Sequence, residues 1–181
     1  FHVPRLVGGS AVFSQALRPL LEPGLHKLIG SHRRVQGLMV RKGLNLPAGM
    51  RDVAGRSLRY VNRQTGSGTR LLADHLLQEA GLDVAAINGY DSRTEHTHVA
   101  VAAAIAAGAA DVGLGVEAAA REFGLSFTPL VEEDYHLACL KSALETPAVQ
   151  RLLQVLALPA WAAALSSLAG YAPQRRGEVL A

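Results

Sequence analysis

The segment Asn62-Arg63-Gln64-Thr65-Gly66-Ser67-Gly68-Thr69-Arg70 constrains this chain more than any other. It joins an apolar stretch ending at Asn62 to a run with helical spacing, Leu71, Leu72, His75, Leu76 and Ala80. A strand that turns through two glycines into a helix can bring backbone close to a ligand and adopt positive φ. The unpaired N–H groups of the first helical turn, at the positive end of the helix dipole, form an anion site. The hydroxyls of Thr65, Ser67 and Thr69 add donors, and Arg63 and Arg70 offer planar charged forks. No Gly-Lys-Ser/Thr follows, so this is not a nucleotide phosphate loop, and without a third glycine it is not a dinucleotide fingerprint. A capped turn that uses glycine only for its geometry is the alternative.

Around this segment the chain alternates between strand and helix signals. A helix is expected over residues 10–21, with Ser10 as its cap and Pro23-Gly24 as its stop. Strands are expected at 26–29 and 36–40, on either side of the cluster Ser31-His32-Arg33-Arg34, followed by a loop at 42–47 and a helical turn at 50–54. Further helices are expected at 69–80, at 94–107 with Thr94 as cap, and at 116–123, with strands at 58–62, 111–114, 128–130 and 135–140. Residues 147–156 and 159–168 read as a helical hairpin, and from Pro173 the tail reads as polar and loose. This alternation predicts an α/β fold with mostly parallel sheets.

Three other clusters could carry chemistry. Tyr90-Asp91-Ser92-Arg93-Thr94-Glu95-His96-Thr97-His98 opens a helix. His96 and His98 are two residues apart, which on a helix puts them on different faces and argues against a zinc site. One of His96, Thr97 and His98 is expected to touch ligand. Gly113-Leu114-Gly115 is a second close-approach turn, with Asp111 as a strand-end carboxylate that holds neighbouring backbone. Residues 31–37 carry Arg33, Arg34 and Gln36, a charge run whose default reading is a solvated face, with one arginine facing a cleft if strands cross between lobes there. Glu132, Glu133 and Asp134 read as solvated. No nucleophile, base and orienting group come together. Ser67 lacks the glycine two residues earlier that a nucleophile elbow needs, since that residue is Thr65. A non-enzymatic role follows.

Composition sets the outer bounds. In 181 residues, 49% are hydrophobic and 18% charged, which supports a folded core and excludes a disordered chain. The net charge of +3, with only 5% aromatic residues, is a weak field, better matched to a local anion than to a nucleic-acid face. The single cysteine, Cys139, permits no internal disulfide and reads as a small buried hydrophobe. No apolar run reaches the roughly 18 residues of a membrane span.

Several strings together resemble one family: Arg34-x-Gln36-Gly37-Leu38, Asn62 to Arg70, Gly89-Tyr90, His96-Thr97-His98-x-Ala100-Val101-Ala102, Ala110-Asp111-x-Gly113-Leu114-Gly115 and Gly170-Tyr171. They are similar to the periplasmic-binding-protein-like domain found at the C-terminus of molybdopterin biosynthesis proteins and helix-turn-helix regulators. The resemblance runs from residue 1 to about residue 171.

The resemblance implies a type II binding-protein fold with two lobes: residues 1–42 with 131–181, and residues 43–130, which carry the anion loop. Thr65, Gly66, Ser67, Gly68, Thr69 and Arg70 would line one wall of the cleft, Thr97, His98 and Gly115 would flank it, and Arg34 would come from near the hinge. The implied ligand is a small oxyanion such as molybdate or tungstate, with no other cofactor or metal. The alternatives are a pterin- or phosphate-binding accessory domain of molybdopterin biosynthesis and a periplasmic anion receptor. The first lobe is expected to lack its N-terminal strands, and an open sheet edge there would favour a homodimer. The resemblance further implies a cytoplasmic location, with the periplasm as alternative, and a fused or partner domain upstream. No direct nucleic-acid or membrane contact is expected.

Overall fold

The computed structural model describes residues 1–6 and 17–180. Most of the helix expected over 10–21, including its cap Ser10, lies outside the described residues; its far end is a 3-10 turn at Arg18–Leu20. The chain forms two compact units, one built from Phe1–Arg34 and Val131–Ala181, the other from Val35–Leu130. Both crossings fall inside long strands, β2 (His26–Val40) and β6 (Ser126–Leu140). The expected break in β2 at the basic cluster does not occur. Ser31 and Arg34 are buried, and extended backbone runs through them.

In the first unit, β1 (His2–Pro4) pairs antiparallel with β6, His2 facing Tyr135. The tail is not loose. β7 (Tyr171–Pro173) and β8 (Val179–Leu180) both pair antiparallel with β2. Gly30 makes this possible: its N–H donates to the Glu178 carbonyl at 2.9 Å, and its carbonyl accepts from Gly177 at 2.9 Å. Any Cβ at Gly30 would collide with the Arg175 carbonyl. The expected helical hairpin forms as α5 (Pro147–Ala157), one residue longer than expected, and α6 (Pro159–Ser166), two residues shorter. Each helix starts with proline, whose missing N–H costs nothing in a first turn.

The acidic trio 132–134 is only partly solvated. Strand alternation turns Glu133 inward, where it is completely buried. His2 Nδ1 lies 2.7 Å from Glu133 Oε1, and Arg34 Nε donates to Oε2 at 2.9 Å. Burial alone would raise the Glu133 pKa; the hydrogen bond from His2 and the charges of His2 and Arg34 hold it below its ordinary value instead.

The second unit contains α1 (Met50–Gly55), β3 (Asn62–Arg63), α2 (Gly68–Glu79), β4 (Thr94–Glu95), α3 (His98–Ala106), β5 (Val112–Val116) and α4 (Glu117–Glu122). β3 and β4 pair in parallel, Asn62 with Thr94 and Arg63 with Glu95. A parallel bridge between Tyr60 and Val112 sets β5 beside the chain entering β3. β5 in turn pairs antiparallel with β2, from Gln36–Val116 to Val40–Val112. Successive β2 side chains point to opposite faces. Leu38 and Val40 join Val53, Tyr60 and Leu77 in one apolar cluster, whereas Met39 joins Val61, Val101, Ile105 and Ala120 in another. Helices therefore cover both faces, and each fully buried aliphatic side chain contributes about 1.5–3 kcal/mol relative to exposure. Asp111 acts as the expected strand-end clamp: its Oδ2 accepts from the Arg59 N–H at 3.1 Å, and its Oδ1 pairs with Arg41 at 3.0 Å. The result is the expected α/β class, with sheets that are mixed rather than mostly parallel. The parallel pairing lies in the second unit, and the described ladders of the first are antiparallel. Among the described residues no single helix is long and apolar enough to cross a membrane.

Candidate functional site

In the second unit β3, β4 and β5 each run, at their C-terminal ends, into the start of a helix. Because β3 and β4 are parallel neighbours, the loops that follow them, 64–67 and 96–97, leave the same edge. In α/β sheets such edges are where ligands bind. Arg63 ties the two loops together, its Nη2 donating to the His96 carbonyl at 2.9 Å. Asn62 fixes the end of β3 from inside: it is buried, its Nδ2 donates to the Tyr90 carbonyl at 3.2 Å, and its Oδ1 accepts from the Arg63 N–H at 2.9 Å.

Gly66 takes φ +83, the left-handed conformation that suits glycine, and turns the chain into α2. Ser67 is the N-cap: its Oγ accepts from the Arg70 N–H at 3.2 Å. The N–H groups of Gly68 and Thr69 make no hydrogen bond among the described residues. Thr65 and Gly66 are exposed, Ser67 and Gly68 half-buried, and Thr69 is buried.

Arg70 is not an open cationic fork. Its Nη2 pairs with Asp91 at 2.5 Å, its Nε donates to Asp74 at 3.3 Å, and its guanidinium sits over the Tyr90 ring, 4.2 Å from the centroid. Burial disfavours its charge, but the bond to Asp91, with Tyr90 and Asp74 nearby, raises its pKa overall. The Tyr90 hydroxyl donates to Asp74 at 2.7 Å, and burial followed by that bond pushes the Tyr90 pKa upward. Nothing in the sequence alone marks Tyr90 and Asp91 as partners that, with Asp74, hold Arg70. The spacing of Arg70 and Asp74, one helical turn apart, was the available signal.

On the neighbouring loop Thr97, not Thr94, caps the helix: its Oγ1 accepts from the Ala100 N–H at 2.9 Å, and Thr94 belongs to β4. The Val99 N–H makes no hydrogen bond among the described residues. His98 is half-buried, and its Nδ1 lies 3.5 Å from where a Cβ on Gly115 would sit. Gly115 is inside β5, and that Cβ would strike the Met39 side chain, so this glycine makes room for packing. Arg34 belongs to the first unit, where it pairs with Glu133. The structure thus brings Thr65 to Arg70 together with Thr97 and His98 at one edge, with Gly115 behind His98. Among the described residues no three metal-binding side chains gather. The edge offers main-chain N–H groups and hydroxyls, together with a guanidinium already matched by two carboxylates.

The profile of the PBP superfamily domain matches residues 2–157. An uncharacterized Bacillus subtilis protein, YvgK, is 34% identical over 156 residues, which are 84% of this chain and 49% of that protein. The chain thus spans about half the length of this relative. The arginine-, lysine- and histidine-binding protein ArtJ from Geobacillus stearothermophilus superposes with a TM-score of 0.55 at 16% identity, over 83% of this chain and 65% of that one. PEB3 with bound L-phospholactate superposes with a TM-score of 0.57 at 13% identity, over 91% and 75%. At such identities the two structures establish the fold.

Proposed function

The chain belongs to the PBP superfamily, and we propose that it is a non-catalytic domain that binds or senses a small oxyanion at the shared β3–β4 edge. One observation carries this reading: the parallel pairing of β3 and β4 delivers two hydroxyl-capped helix starts to the same edge. Donors with partial positive charge that need no reorganisation suit a compact anion. Molybdate and tungstate are the leading candidates, because the string from Asn62 to Arg70 resembles molybdenum-related regulators and biosynthesis proteins. That biological setting, and the cytoplasmic location that goes with it, belong to the same proposal. A phosphate-bearing organic anion would use the same donors, and PEB3 binds L-phospholactate.

Isothermal titration with molybdate, tungstate, sulfate, phosphate and L-arginine tests the reading. Heat from molybdate or tungstate alone supports it as stated. Heat from phosphate or sulfate alone shifts it to a phosphate-type ligand. Binding of arginine alone, or of nothing, overturns it.

A further inference from the structure

A pocket lies wholly within the first unit, between the sheet and the α5–α6 hairpin, with a volume of about 360 Å³. That size suits a small organic molecule. Leu137, Leu152 and Trp161 form apolar walls, and Leu156, which is buried, closes the back. Arg34 and a column of rings line the other side. Arg34 lies over Tyr135, 5.3 Å from the centroid; Tyr135 stacks on His32 at 4.7 Å; His32 meets Tyr171 at 5.3 Å.

Arg34 is the cation of this pocket, which is also lined by Trp161, whose buried indole N–H makes no hydrogen bond among the described residues. The Arg34 side chain is only 10% exposed, and its Nε is committed to Glu133. Its two Nη groups make no hydrogen bond among the described residues. Glu133 is shared with His2, so its charge is not spent on Arg34 alone. Arg34 lines the pocket, and a guanidinium hydrogen-bonds most strongly to an ionised acceptor. The paired Nη edge fits the two oxygens of a carboxylate. His32, the other base in the pocket, is held neutral down to about pH 4 by burial and by the charge of Arg34. The pocket therefore carries one cation beside apolar walls.

We propose that this pocket binds a small aromatic carboxylate, its carboxylate on the Nη edge of Arg34 and its ring between Leu137, Leu152 and Trp161. This site uses none of the residues of the β3–β4 edge. Trp161 is the one tryptophan in the chain, so its fluorescence reports this pocket alone.

Benzoate is the probe, with benzyl alcohol as a neutral ring of similar size. The expected result is a saturable change in Trp161 emission with benzoate, at least about tenfold weaker with benzyl alcohol, a gap worth about 1.4 kcal/mol. Leu152→Phe narrows the pocket and should weaken benzoate about tenfold with an unchanged Tm. Arg34→Gln alone would leave Glu133 unmatched and can unfold the unit, so Arg34→Gln with Glu133→Gln serves as the charge-free comparison and should abolish the preference for benzoate. A lack of saturable signal up to about 10 mM benzoate, well beyond millimolar affinity, overturns the proposal. So does equal binding of benzyl alcohol, or indifference to Leu152→Phe.

Discussion

Arg70 and Tyr90 are stacked, guanidinium over ring at 4.2 Å, and the same guanidinium is pinned by Asp91 at 2.5 Å. The arginine of the anion loop is therefore held in place and largely neutralised before any ligand arrives. Asp91 is 69% exposed, so its removal should leave the fold intact. Asp91→Asn is predicted to tighten oxyanion binding several-fold at low salt, with the gain shrinking as salt screens it. Titration calorimetry at two ionic strengths checks this. Unchanged affinity would place Arg70 outside the reach of the ligand.

The two helix caps should be worth similar amounts. Ser67→Ala and Thr97→Ala each remove one side-chain acceptor from a helix start. Each should cost about 1 kcal/mol in urea unfolding. Both variants should also weaken oxyanion binding, because a frayed first turn no longer presents aligned N–H groups. Loss of stability with full retention of binding would move the ligand away from this edge.

Two glycines of β5 should respond differently to a methyl group. At Gly113 a Cβ would sit 2.5 Å from the Val61 carbonyl and 2.8 Å from Val101 Cγ1, and backbone cannot step aside. At Gly115 the obstacle is the end of the Met39 side chain, which can change rotamer. Gly113→Ala should cost about 1–3 kcal/mol, and Gly115→Ala clearly less. Equal urea midpoints for the two variants would contradict the packing account.

Acid should weaken the first unit through His32, Glu133 and also His136, whose pKa burial lowers. His32 titrates near pH 4 in the folded chain against 6.5 ordinarily, because of burial and then Arg34. The unfolded chain therefore takes up this proton first, and stability falls as the pH drops from about 6.5 towards 4. The pKa of Glu133 is lowered on folding, so its contribution is complete above the ordinary carboxylate range and is lost as pH falls through the lowered value. Urea melts of wild type, His32→Phe and Glu133→Gln at about pH 7.5, 5 and 4 isolate the shares of His32 and Glu133, leaving that of His136 in every variant. His32→Phe should flatten the decline between the first two. A parallel decline in that variant would show that His32 is not the group responsible.

Local chemistry in the sequence identified much of the second unit. Glycines marked the turn at Gly66 and the end of α2 at Gly81, and apolar spacing marked the helices between them. What it could not supply was partners far along the chain. Ser31 to Arg34 read as a solvated charge run because nothing nearby in sequence neutralises Arg34. Its partner, Glu133, is 99 residues away. Thr94 reads as the cap because its pairing with Asn62 is a two-residue ladder, too short to leave a period-2 pattern. The tail read as loose because its order comes from Gly30, which leaves space for it and says so nowhere in the tail itself.

The second unit is one unbroken stretch of chain, whereas the first is assembled from both ends. On the ribosome, Val35–Leu130 emerges complete while His2 still waits for Glu133, 131 residues further on. Vectorial synthesis thus imposes an order: the anion-loop unit can mature early, and the opening segment stays unmated until its distant complement is made.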